Sequence, residues 1–252
     1  VTGASAGIGR AIAEELASHG WRVVLNARRA EKLDELARSI NARSKGGPLA
    51  AAAPGDTADP GVIESMLDTA RRAFGAEADC VVVNAGRGLS GSVTTSDEAQ
   101  WEEMIRTNVL GAARLMRAAA ARMTADAAKD PAGWRARPRD IVVIGSVVGR
   151  HVSPFSSMYG GTKFNVHGMT EGVRRELAPK GIRVTLVEPG FVVSEFQGVA
   201  GYQDEWFKGV VEKIGPVLEP ADVARAVSFV CAQPAHVHVS DILVRPTRQD
   251  YP

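Results

Sequence analysis

"VTGASAGIGRAIA", residues 1–13, places Gly3, Gly7 and Gly9 at a turn leading from a strand into a helix. Glycines at such a turn let the backbone approach a pyrophosphate closely, and the amides at the positive helix N-terminus stabilise its charge. Ser5 and Ile8 share the loop and join the expected cofactor contacts. A lone glycine cluster serves any tight turn equally well, so the reading depends on the pattern of the remaining chain.

That pattern is alternation. Apolar runs of strand length at 21–27, 48–53, 80–86, 140–146, 182–190 and 241–246 are separated by segments of helical period near 7–19, 30–43, 60–74, 97–124, 156–178 and 220–232. The runs are apolar almost throughout, as strands buried on both faces are. The expected fold class is α/β, as one domain over residues 1–252. Its core would be a Rossmann-type doubly wound parallel sheet of about seven strands with helices on both faces, counting a first strand truncated at Val1. Two segments break the rhythm. Residues 125–140, "ADAAKDPAGWRARPRD", read as an exposed loop, and residues 191–219, with five aromatics, as a mobile flap over a ligand cleft or an irregular helical insert.

Bulk properties exclude several partners. Thirty Lys plus Arg against 29 Asp plus Glu leave a net charge of +1, too little for a long-range field toward nucleic acid or an anionic membrane. No run approaches the roughly 18 apolar residues of a membrane span. With two cysteines, Cys80 and Cys231, neither a disulfide framework nor a zinc site is expected, and a cytoplasmic setting with a small-molecule partner is.

The second strand ends "LNARRAEKL", with Asn26 and Ala27 where a ribose-binding acid would suit NAD and with Arg28 and Arg29 directly after. Cations at a helix N-terminus oppose its dipole. An anionic partner such as the 2′-phosphate of NADP explains them, so NADP(H) is expected over NAD(H), with Arg28 the stronger contact. Asp56 in "PGDTADP" would meet an adenine amino group or cap a helix. Asn84, Ala85 and Gly86 end the fourth strand, counting the truncated first, with small and polar residues suited to close cofactor contact.

"SSMYGGTKFNV", residues 156–166, sets Tyr159 and Lys163 four apart, on one helix face. A phenol that exchanges protons near neutrality needs its reference pKa of about 10 lowered, and an adjacent cation lowers it. The run 140–146 delivers Ser146 to the same sheet edge. A hydroxyl, a phenol and an ammonium are thus expected to converge, with Gly160 and Gly161 leaving room for the cofactor.

Taken in order, "TGASAGIG", "NAG", Asn108 in "IRTNVLGA", Ser146, "YGGTK" and "VEPG" resemble the short-chain dehydrogenase/reductase family over nearly the whole chain. Closer still, "MYGGTKFNV", "IRVTLVEPGFVVSEF" and "QPAHVHVSDILVRPTRQ" look like its NADP-dependent serine and 3-hydroxy acid dehydrogenases. The resemblance implies Tyr159 as general acid/base, Lys163 lowering its pKa and binding the nicotinamide ribose, Ser146 polarising the carbonyl, and Asn108 holding a relay water. It implies cofactor contacts at Pro189, Gly190, Val192 and Ser194. Ala6 stands where some NADP-binding relatives carry a basic residue, and Ser194 where threonine is usual. The implied activity is hydride transfer between NADP(H) and a small hydroxy acid, a secondary alcohol or the matching carbonyl. A non-catalytic NADP-binding sensor or scaffold and a sugar-nucleotide epimerase are the alternatives. Relatives pair through the two long helices, so a homo-oligomer, tetramer or dimer, is expected.

Fold does not set substrate. Arg87, Arg150 and His151 follow predicted strand ends and are available to hold a carboxylate, whereas Phe155, Met158, Phe191, Phe196 and Trp206 would line an apolar pocket.

Overall fold

The computed structural model describes residues 1–251. Its strands are β1 (Val23–Leu25), β2 (Ala50–Ala52), β3 (Cys80–Val83), β4 (Arg139–Ile144), β5 (Ile182–Pro189) and β6 (Asp241–Val244). All pairing is parallel, β1 with β2 and then β3, β4, β5 and β6 in that order. Residues 1–4 join the two groups. Thr2 bridges Asn26 in parallel and donates its amide to the Val82 carbonyl at 3.1 Å, while Asn26 donates to the Val1 carbonyl at 3.0 Å. Against the expected seven, the sheet among the described residues therefore has six strands and one extended segment in the seventh place, where a single bridge is too little pairing to make a strand.

That segment is also where the strand order reverses, and ligands of such sheets bind beyond the carboxyl ends at this point. Helices α1 (Gly7–Ser18), α2 (Ala30–Arg43), α3 (Pro60–Phe74), α4 (Trp101–Ile105), α5 (Ala112–Ala127), α6 (Ser157–Leu177), α7 (Phe196–Ala200), α8 (Asp204–Ile214) and α9 (Pro220–Cys231) complete the architecture. Leu16 of α1, Leu33 and Leu36 of α2, and Val223 and Val227 of α9 fill the core on one face. Ile63 and Met66 of α3, Leu115 and Met116 of α5, and Val166 of α6 fill it on the other. Every residue of β4 and β5 is buried between these layers, which is why their runs show no polar alternation. The polar residues admitted there are paired: Arg183 grips Asp140 with two bonds of 2.7 Å and donates to the carbonyls of Cys231 and Gln233.

Local signals explain most boundaries. The Asp59 side chain caps α3 by accepting the Gly61 amide at 2.7 Å, Pro60 fits the first turn, and Gly75 ends the helix at φ 72°. The helix expected over 97–124 is realised as α4, a π-helical turn at Arg106–Gly111, and α5. The loop expected over 125–140 is shorter than predicted. The α5 helix runs to Ala127, a 3₁₀ turn covers Gly133–Arg135, and β4 begins at Arg139, because Trp134 packs onto the chain at Gly181. Residues 191–219 hold α7 and α8, and their ends are pinned together: Leu218 donates to Phe191 O and accepts from the Val193 amide, both at 2.9 Å. Among the described residues no helix is long and apolar enough to cross a membrane.

Candidate active site

A cavity of about 680 Å³ opens at the carboxyl edge of the sheet. Of the residues expected at the site, Asn108, Arg150, His151 and Met158 fail to line it.

At one end lies the glycine loop. Gly3 and Gly7 adopt φ +67° and +52°, and a Cβ on Gly9 would sit 2.4 Å from the Gly3 carbonyl oxygen, so side chains are excluded by the backbone itself. Ala6, the N-cap of α1, offers no capping side chain, and the first turn carries no acid. The helix thus presents amides and positive dipole to the cavity with no anion of its own. Asn26 and Thr57 line the same end, and among the described residues Asn26 Oδ1 and Thr57 Oγ1 are buried without a hydrogen-bond partner. A dinucleotide's pyrophosphate and adenosine fit this donor set.

The arginines are already engaged. Arg28 bonds Glu103 at 3.2 Å; Arg29 donates to Ser5 Oγ at 3.2 and 3.0 Å and to Glu195 at 3.0 Å. Glu103 also takes Arg87, which donates to Gln100 as well. Arg87 is therefore no free anchor for a substrate carboxylate, contrary to expectation. Asp56 binds Arg106 at 2.5 Å and the Ala58 amide at 2.9 Å, while the cap of α3 is Asp59.

At the other end, Ser146 leaves β4 and caps a 3₁₀ turn at Val147–Gly149, where its hydroxyl meets the Tyr159 phenol. Tyr159 and Lys163 lie one turn apart on α6, both 8% exposed, with Lys163 Nζ 5.8 Å from the Tyr159 ring centre and donating to the Ile144 carbonyl at 2.9 Å. The expected fall in the phenol's pKa is not seen. Burial pushes it above its ordinary value and the Tyr202 phenol adds to this, while the hydrogen bond from Ser146 pulls the other way. Burial also lowers the Lys163 ammonium to about 8. The glycines between them do not answer to packing: a Cβ on Gly161 would meet nothing within 4 Å and one on Gly160 only ordinary contact with Val148. Asn108 sits behind the cavity in the π turn and clamps Arg87, accepting its amide and donating to its carbonyl at 2.8 Å each.

Residues 1–204 match the family described as short chain dehydrogenase. The chain belongs to the short-chain dehydrogenase family. An uncharacterised oxidoreductase of Staphylococcus saprophyticus is 32% identical over 98% of this chain and 95% of the relative. Among solved structures, a closed form of serine dehydrogenase complexed with NADP+ is 30% identical, with a TM-score of 0.86 over 100% of this chain and 95% of that one. An alcohol dehydrogenase from the archaeon Thermococcus sibiricus, complexed with 5-hydroxy-NADP, is 25% identical, with a TM-score of 0.82 over 100% and 97%.

In this short-chain dehydrogenase a histidine lies beneath the Ser146 loop. His167 Nε2 accepts the Ser146 amide at 3.3 Å, and its Nδ1 is 3.6 Å from Glu188, a fully buried carboxylate held by Arg150 at 2.5 and 2.6 Å. Gly145 and Gly149 flank the ring so closely that a Cβ on either would come within 2.4 Å of it. Burial, with the charges of Lys163 and Arg150, lowers His167 to about 4, so the ring is neutral near pH 7 and Nε2 can accept. His167→Ala removes the acceptor that orients Ser146, and kcat is expected to fall roughly tenfold or more with cofactor affinity unchanged. His167→Gln, which can return an acceptor, restores most of the loss; steady-state kinetics with both variants check this.

Sequence reasoning missed His167, Ser156 and Tyr202. Tyr202 lay in the aromatic-rich stretch but no local signal placed it, whereas the fold bonds its phenol to Ser156 and sets it beside Tyr159. Arg150 is held by Glu188, and His151 is an exposed residue outside the cavity, so neither can hold a substrate there.

Proposed function

We propose that the protein is an NADP(H)-dependent oxidoreductase that interconverts a carbonyl and an alcohol, the substrate being a small hydroxy acid, a secondary alcohol or the corresponding carbonyl. One observation carries the reading: Ser146, Tyr159 and Lys163 converge at one end of a cavity whose other end is an uncapped, glycine-lined helix N-terminus. Bound reduced nicotinamide would supply the hydride. Tyr159 Oη gives its proton to the oxygen that develops negative charge, and Ser146 Oγ donates a hydrogen bond to the same atom. The raised phenol is protonated at neutral pH, which favours carbonyl reduction there. Lys163 adds positive charge beside the phenol and, with Pro189, Gly190, Val192 and Ser194, holds the nicotinamide end. Residues 191–219 act as the flap over the substrate end.

The proposal is tested by absorbance at the reduced-nicotinamide band with NADPH and then NADH, across carbonyls and the matching alcohols. Silence across the panel with NADPH binding intact would favour a cofactor-binding scaffold. The preference for NADP(H) rests on Arg28 and Arg29, whose exposed pairs with Glu103 and Glu195 are weak enough for a doubly charged 2′-phosphate to displace, and it agrees with the NADP-type ligands of the two similar enzymes. Hydrogen bonds to charged groups are worth about 1.5–3 kcal/mol. The double variant Arg28→Ala, Arg29→Ala is therefore expected to weaken NADPH binding on the order of 10- to 100-fold and leave NADH nearly unchanged, measured by nucleotide fluorescence.

A further inference from the structure

We infer that the substrate is an uncharged ketone or secondary alcohol with a bulky apolar body, not a hydroxy acid; this rests on the oxidoreductase reading above and narrows its substrate class. The substrate end of the cavity is walled by rings. Phe196 packs on Tyr159 with centroids 5.5 Å apart, Trp206 stacks on Tyr202 at 5.0 Å with planes 15° apart, and Phe191 meets Trp206 at 6.1 Å. Phe155 at the same cavity is 64% exposed and Trp206 38% exposed, apolar surface left open to whatever enters.

Charge points the same way. Among the described residues, the cations that line this cavity are already paired or committed. Arg28 and Arg87 share Glu103, Arg29 holds Glu195, and Lys213 faces Asp250 at 3.8 Å. Lys163 is buried against the Ile144 carbonyl. A carboxylate brought into this cavity would lose water and find its cations already facing Glu103, Glu195 and Asp250, or, for Lys163, buried against a carbonyl. Apart from Lys163, which is bonded to the Ile144 carbonyl, the polar groups named beside Tyr159 are neutral: the Ser146 hydroxyl, and the Tyr202 phenol bonded to Ser156. A neutral carbonyl flanked by a ring or a branched alkyl group satisfies both the hydroxyls and the rings.

The test uses a pair that shares the aryl ketone and differs by the ethyl group that removes the charge, ethyl benzoylacetate and benzoylacetate, on the full protein with NADPH. Turnover is followed by nicotinamide absorbance, and binding to the protein–NADPH complex by tryptophan fluorescence. The ester is expected to exceed the acid in kcat/KM by at least on the order of 100-fold and to bind more tightly. Trp206→Ala is expected to lower kcat/KM for the ester about tenfold. Equal or better use of the acid overturns the inference, as does failure of both to bind. Selective binding of the ester without turnover of either sustains the substrate class and removes the oxidoreductase reading instead.

Discussion

Tyr159→Phe is expected to lower the rate of carbonyl reduction by about 10³-fold while NADPH affinity stays within about twofold. A positioned general acid contributes on the order of 10²- to 10⁴-fold, and the phenol is the one group at this position whose proton is both present at neutral pH and adjacent to Ser146. Phenylalanine keeps the ring that packs on Phe196, so the cavity wall survives and the loss reports the hydroxyl. In the wild type the raised phenol keeps its proton through neutrality. The first ionisation to matter on raising the pH is then Lys163, near 8. Since kcat/KM reports groups of the free enzyme, it should decline above about pH 8 for reduction. Stopped-flow kinetics and a pH profile check both statements, and a Tyr159→Phe rate within tenfold of wild type would remove Tyr159 from the chemistry.

Lys163→Met should move activity and stability in opposite directions. Loss of the ammonium beside the phenol should cost about 10²- to 10³-fold in kcat/KM, the range found when a preorganised electrostatic group is removed. A fall of the lysine from 10.5 to about 8 on folding corresponds to about 3 kcal/mol against the folded state. Methionine fills similar volume without the charge but leaves the Ile144 carbonyl without its donor, which costs roughly 1–3 kcal/mol. A net gain of about 1 kcal/mol raises Tm of the cofactor-free protein by a few degrees at pH 7. The pH dependence is a matter of linkage. Below about 8 the ammonium is charged in both states and burial penalises the folded one, whereas from 8 to 10.5 only the unfolded chain holds the proton, so the wild type gains stability as pH rises. The advantage of Lys163→Met should therefore shrink across that window in thermal melts; a variant less stable than wild type at pH 7 would contradict it.

The functional elements legible in the sequence are those that obey short-range rules. Gly3, Gly7 and Gly9 could be read because backbone approach at a strand-to-helix turn forbids a side chain, and the structure puts Gly9 in that position against Gly3. Tyr159 and Lys163 could be read because four residues are about one helical turn, and Ser146 because it stands two residues beyond the end of the buried strand at Ile144, at the sheet edge. Arg28 and Arg29 were found by position, but their partners were not. Glu103 is 75 residues from Arg28 and Glu195 is 166 residues from Arg29, and no periodicity links such distances.

By itself the amino-acid sequence determined the alternation of strands and helices, the glycine loop and the order of the reactive side chains, since hydrophobic period, helix spacing and turn chemistry act over a few residues. Tertiary structure alone decided what those side chains experience. Packing buries Tyr159 and raises its pKa where spacing to Lys163 argued for a fall, slides His167 under Ser146, and folds Tyr202 back onto the phenol. Desolvation and long-range pairing depend on which distant segments share a volume, and that is settled only when the chain has closed around the cavity.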